Sequence, residues 1–171
     1  MTVQNMFVYC LFCQTERTEY VAGEIERRGV HRAFSPTIVK RQRVKGENKD
    51  VTYRLFPGYV FVYSETELNT SAEFKEIRGI IRRLGNVEDN FLLKGADLDF
   101  AMRLYQKDGM VGQVTVFKEG DNVRIDDPMW KGIKATITRI DYKKERARVE
   151  FNFAGTKCST WVAISLIEGK V

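Results

Sequence analysis

The stretch Leu55-Phe56-Pro57-Gly58-Tyr59-Val60-Phe61-Val62-Tyr63 constrains this chain more than any other part of it. A strand sends successive side chains to opposite faces, so Tyr59, Phe61 and Tyr63 share one face and Val60 and Val62 the other. Neither face is polar. Such a strand is either buried on both sides within its own domain or keeps one face for a partner.

The chain has 171 residues, room for one ordinary domain or two small ones. Hydrophobic residues make up 43% and charged residues 30%, which suits a folded protein rather than a disordered one. No apolar run approaches the length of a membrane span. Met1 to Phe12 lacks a cationic flank followed by a long apolar core, so no signal peptide is expected and the cytoplasm is the expected compartment. The net charge of +5 is spread over both halves. It fits a mild preference for nucleic acid and an ordinary basic surface equally well.

Cys10 and Cys13 form a C-x-x-C, but in an apolar strand, where a separation of three puts them on opposite faces. With a single histidine, His31, and Cys158 far along the chain, a zinc site is not expected. Buried free thiols are expected instead, as in a reducing compartment.

Phe7 to Cys13 reads as a buried strand, followed by helical spacing over Thr15 to Arg28 with Val21, Ala22 and Ile25 on one face and Gly29 at the helix end. Val30 to Val39 is extended. Lys40 to Lys49 forms a basic hairpin tip with Gly46 near its apex, and Arg54 to Tyr63 is the returning strand. A short helix is predicted over Glu67 to Ile77 with Leu68, Ala72 and Phe74 or Ile77 inward. A strand follows over Gly79 to Leu84, and a last helix over Asp97 to Tyr105 with Asp97 as N-cap. Residues 1–106 thus describe an α+β unit, an antiparallel sheet flanked by helices. Residues 107–113 read as a linker. Residues 114–171 hold only short strands, the pattern of a small all-β barrel. Within it Ala147, Val149, Phe151 and Phe153 should face inward. The tail shows no helical period.

No catalytic constellation is present. One histidine excludes His-based triads and two-His metal sites, and no glycine pattern for nucleotide phosphates occurs. The chain is expected not to be an enzyme and to need no cofactor. What remains is surface. Trp130 with Lys131 and Lys134, and Lys143 and Lys144 with Arg146 and Arg148, would supply cations and a stacking aromatic for RNA if one end of the barrel gathers them. Solvated turns account for the same residues. Phe12 joins Tyr59 and Phe61 in one aromatic patch if the strands carrying them are neighbours, although aromatic strands more often serve a core.

Taken together, these residues resemble a known family. Leu55-Phe56-Pro57-Gly58-Tyr59-Val60-Phe61-Val62 is similar to the signature strand of the NusG N-terminal domain. Val8-Tyr9 stands where the family has Trp-Tyr, Ala33-Phe34-Ser35-Pro36 resembles its aromatic-x-Pro segment, and Arg78-Gly79-Ile80 its x-Gly-Val element. Gly120 to Ile125, with Gly132 and Asp141-Tyr142, resembles the opening of a KOW domain. Val8 and Glu16 depart from the common pattern. So do the loop Asp126 to Gly132 and the stretch Gly155 to Val162, which look more like specialised paralogues of the RfaH and LoaP type than housekeeping NusG.

The resemblance implies a transcription elongation and antitermination factor. Its N-terminal domain would dock on the clamp helices of RNA polymerase through Phe12, Phe56, Tyr59 and Phe61, with Thr70 and Ser71 touching the opposite side of the cleft. Arg78, Arg82 and Arg83 would meet the non-template DNA strand. The KOW barrel would bind nascent RNA or a ribosomal partner, with Rho as a further family contact that the departures put in question. A monomer is expected. Two alternatives stay open: housekeeping NusG itself, and a KOW-type RNA-binding module of translation.

Overall fold

The computed structural model describes residues 6–169. The first residues of the Met1–Phe12 segment and the last two of the tail lie outside them. No helix among the described residues is long and apolar enough to cross a membrane.

Strand β1 (Phe7–Cys13) is the spine of a four-stranded antiparallel sheet ordered β2-β5-β1-β6. Here β2 is Arg32–Phe34, β5 is Tyr59–Ser64 and β6 is Ile80–Arg83. The β1–β5 register places Cys10 opposite Phe61 and Phe12 opposite Tyr59. One face of this sheet (Tyr9, Leu11, Cys13, Val60, Val62) packs with Val21, Ala22 and Ile25 of helix α1 (Thr18–Arg27) and with Phe74 of helix α2 (Thr70–Phe74). The three residues before α1 form a 3-10 turn. Leu68, Phe74 and Ile77 are buried as expected, but Ala72 is exposed, because the five-residue α2 turns Thr70 and Phe74 inward and Ser71, Ala72 and Glu73 outward.

The predicted strand over Arg54 to Tyr63 is in fact two strands in different sheets. β4 (Glu47–Arg54) closes a hairpin with β3 (Thr37–Val44) around Lys45-Gly46, and this hairpin forms its own sheet with β7 (Met110–Val111). Between β4 and β5 the chain makes a tight turn. Tyr59 N–H donates to the Phe56 carbonyl at 3.0 Å and Gly58 sits at φ +91°. Proline followed by a glycine of positive φ, with that bond, is the pattern of a type II turn. The signature Phe-Pro-Gly-Tyr therefore turns the chain from one sheet into the other.

Residues 107–113 do not hang free. Met110 and Val111 pair in parallel with Thr37 and Ile38, and Thr37 N–H donates to Gly109 O at 2.8 Å. Helix α3 (Gly95–Gln106) starts two residues earlier than predicted. Asp97 consequently lies inside its first turn rather than at the N-cap, which is Lys94.

The tail is β throughout apart from a 3-10 turn at Pro128–Trp130. It comprises β8 (Val114–Glu119), β9 (Asn122–Ile125), β10 (Ala135–Asp141), β11 (Arg146–Phe153) and the long β12 (Thr156–Glu168). The order is β10-β11-β12-β8-β9, with β12 and β8 parallel. β9 and β10 come close without forming a ladder, so the sheet is a half-barrel rather than a closed barrel.

Candidate functional site

The second face of the β1/β5 sheet carries Val8, Cys10 and Phe12 with Tyr59, Phe61 and Tyr63. Its partner lies in the same chain. Phe100, Ala101 and Leu104 of α3 cover part of it, and Tyr63 donates to Ala101 O at 2.6 Å. The tail half-barrel covers the rest. Phe61 meets Phe153 at 5.6 Å between ring centroids. Phe56 meets Phe151 at 5.4 Å and Trp130 at 6.1 Å. Phe100 bridges the two halves through Trp130 and Phe153. Offset and edge-on pairs at these separations are the favourable aromatic geometries. The cavity left between Phe56, Tyr59, Phe61 and the tail is only about 10 Å³, room for at most one water, so the seam is packed like a domain interior.

Polar contacts clamp the rim. Arg103 of α3 donates from Nε to Met129 O at 3.1 Å and from Nη2 to Lys131 O at 2.6 Å. Asp97 Oδ2 accepts from Ala154 N–H at 3.0 Å. Thr160 Oγ1 donates to the buried Leu55 carbonyl. Lys40 Nζ donates to Lys144 O at 2.6 Å and pairs with Glu145 at 3.6 Å.

The four residues assigned to the aromatic patch are brought together, with unequal exposure. Phe56 is 4% and Phe61 1% exposed, while Phe12 and Tyr59 are half-buried, their rings 5.2 Å apart. Burial, followed by the 3.4 Å contact with Cys158 Sγ, raises the Tyr59 phenol well above its ordinary value, so it stays neutral. Burial likewise raises the Cys10 and Cys158 thiols and pushes Cys13 up to about 12, leaving all three as inert protonated thiols.

Other expectations fare differently. Thr70 is buried, its hydroxyl accepting from Arg83 at 3.1 Å, while Ser71 is exposed. Arg78 and Arg82 are exposed, Arg82 over the Phe12 ring, and Arg83 stacks on Phe91 at 4.1 Å. Trp130 is not an exposed stacking platform: it is 3% exposed, because the aromatic seam engulfs it. The two basic patches of the tail do not converge. Lys131 and Lys134 precede β10, while Lys143 and Lys144 follow it, and a seven-residue strand holds them roughly 20 Å apart. Arg146 stacks on Trp161 at 4.3 Å, and exposed Arg148 bonds Ser159. Phe151 and Phe153, expected inside a barrel, face the N-terminal sheet. Alternation found their face, but not which partner fills it. Arg103, Phe100 and Lys40 had no such signal, since each acts on a partner distant in sequence.

Burial in the seam pushes the Asp97 carboxyl above its ordinary value of 3.8, with the Ala154 N–H bond pulling the other way. The docked chain therefore holds this proton more tightly than a chain whose Asp97 faces water. Docking gains on acidification through the carboxylate range, and the gain is lost as pH rises past the docked-state pKa. Small-angle scattering over an acidic pH series should show the chain most compact at the acid end. Expansion there, with circular dichroism unchanged, would contradict this account.

Comparison with known proteins agrees with this architecture. The family model described as "Transcription termination factor nusG" matches residues 7–99. The transcription termination/antitermination protein NusG of Buchnera aphidicola subsp. Baizongia pistaciae is 21% identical over 141 residues, covering 79% of this chain and 78% of that protein. The NusG of Buchnera aphidicola subsp. Acyrthosiphon pisum is 21% identical over 128 residues, covering 71% of each. A solved structure described as "Domain interaction in Thermotoga maritima NusG" shares the fold at a TM-score of 0.52 and 18% identity, over 93% of this chain and 94% of that one. The family match spans more than half of the chain and includes the Phe-Pro-Gly-Tyr turn, β1, β5 and the start of α3. The chain belongs to the NusG family of transcription termination and antitermination factors.

Proposed function

We propose that this protein is a specialised elongation and antitermination factor of the RfaH/LoaP type. It engages RNA polymerase through Phe12, Phe56, Tyr59 and Phe61, and its own tail competes for that surface. The observation that carries this reading is the seam itself: Phe151, Phe153 and Trp130 cover the aromatic residues that the family resemblance assigns to polymerase. A domain interaction is also the subject of the Thermotoga maritima NusG structure with the same fold. Residues 1–106 and 114–171 then act as two units joined through 107–113, and polymerase binding requires the tail to swing away. Docking is opposed from within, because Trp130 Nε1 is buried without an acceptor among the described residues. An orphaned buried donor costs about 1–3 kcal/mol. Thr70 and Ser71 lie beside Arg83 at the sheet edge, the side assigned to the opposite wall of the polymerase cleft. Arg78 and Arg82 are free to meet the non-template strand.

The test is capture of polymerase by the intact chain. Tyr59→Ala and Phe12→Ala, both half-buried, should each weaken capture by roughly tenfold or more while circular dichroism stays unchanged, in line with the cost of truncating an interface hot spot. Normal capture by both variants would refute the patch. Recruitment at a few operons supports the specialised type, and occupancy on every transcription unit the housekeeping one.

A further inference from the structure

Between the β3–β4 hairpin and the β10–β11 turn lies a cleft of about 900 Å³, near the upper end of ordinary ligand sites. One wall comes from the N-terminal part and the other from the tail, so neither half holds the cleft alone. Seven Lys and Arg residues line it against one carboxylate, Glu145, and Lys40 already pairs with that. Lys40 is 7% exposed, and its bond to Lys144 O fixes the spacing of the walls. Arg54 pairs with Glu19 at 2.9 Å, Arg146 with Asp141 at 3.8 Å and Arg41 with Asp50 at 3.5 Å, all three carboxylates lying outside the lining, while Arg43, Lys143 and Lys144 have no carboxylate partner within ion-pair distance among the described residues. Two aromatics share the space. Tyr53 is 44% exposed, and Trp161 carries the Arg146 guanidinium on its ring.

Three unpaired cations beside an exposed ring are what a flexible polyanion with planar bases requires: phosphates take the charges and a base stacks on Tyr53. A solvated basic surface would show neither the enclosure nor the bolted walls. We propose that this cleft binds a single-stranded polynucleotide, and only while the tail is docked. Because the ligand binds the closed chain alone, it favours the closed chain by thermodynamic linkage. The proposal needs the docked arrangement but not the identity of the partner that displaces the tail.

The test is fluorescence anisotropy of labelled RNA and DNA oligonucleotides of matching mixed sequence, titrated with the full chain at two salt concentrations. Arg41→Glu/Arg43→Glu on one wall and Lys143→Glu/Lys144→Glu on the other should each lower affinity by roughly tenfold or more and reduce the salt slope by about two. Tyr53→Ala should lower affinity roughly fivefold or more without changing the slope. Asp97→Ala/Arg103→Ala, which keeps every cleft cation but loosens the seam, should lose binding as its radius of gyration grows. Equal losses for RNA and DNA indicate backbone and stacking recognition, and a preference for RNA adds 2′-hydroxyl contacts. Unchanged binding in either charge-reversal pair, or full binding by the opened variant, would overturn the composite site.

Discussion

Phe153→Ala is expected to raise the apparent affinity for RNA polymerase by roughly tenfold or more, whereas Tyr59→Ala across the same seam lowers it. Phe153 packs on Phe61 and Phe100 and belongs to the tail, so its removal weakens docking while leaving the N-terminal aromatic face whole. A buried Phe→Ala change costs about 3–5 kcal/mol, and a share of that falls on the closed state alone. If only the open form binds, the apparent dissociation constant equals the intrinsic one divided by the open fraction. Affinity therefore rises as docking weakens and stops rising once the chain is fully open. Asp97→Ala/Arg103→Ala should reach the same ceiling by another route. It removes three rim hydrogen bonds, two of them from a charged donor, worth about 3 kcal/mol or more in total. Surface plasmon resonance on immobilised polymerase reads all of these variants. Unaltered affinity in both tail-releasing variants would show that the seam does not gate binding. Reduced affinity would place Phe153 on the polymerase-facing surface.

Gly58→Ala is expected to lower stability by about 3 kcal/mol, a fall in Tm of roughly 10 °C. Two effects add. The φ of +91° is unfavourable for any residue with a Cβ, and a Cβ built there would stand 2.9 Å from the Cys13 carbonyl and 3.0 Å from the Phe12 ring. The same position holds the 2.6 Å bond from Cys13 N–H to Gly58 O, which joins the turn to β1. Gly46→Ala is the matched control. Its φ is +82°, with nothing within 4 Å of the added carbon, so it should cost only about 1 kcal/mol. Calorimetry on the two variants separates the clash from the backbone preference. Equal losses would mean that the close approach to β1 carries no energy.

These two positions mark how far the sequence could be followed. Pro57-Gly58 is a turn signal, and reading one strand across it merged β4 with β5. The run of apolar residues on either side masked the break. In the tail, Arg146 to Phe153 alternates cleanly, and the buried set Ala147, Val149, Phe151 and Phe153 follows the alternation. Alternation identifies a buried face without saying what buries it. Trp130, between Pro128 and Lys131 in a polar loop, looked exposed because local polarity describes only near neighbours. Its burial comes from Phe56 and Phe100, which no local pattern can report. Asp97 looked like a cap since it opens an apolar helical period, but its acceptor role is toward Ala154.

The chain's sequence by itself determined its α+β character, the β nature of the tail, the buried thiols and the aromatic strand, because period, turn residues and side-chain size act over a few neighbouring positions. It also carried the family, through the Phe-Pro-Gly-Tyr turn and its companions. Only the tertiary structure decided what the aromatic face touches, which half-barrel edge stays open, and that Lys40, Arg41 and Arg43 share a cleft with Lys143 and Lys144. Those are contacts between segments far apart along the chain, set by how two apolar surfaces find each other. One face of β5 is buried by α1 and α2, and the other by α3 and the tail.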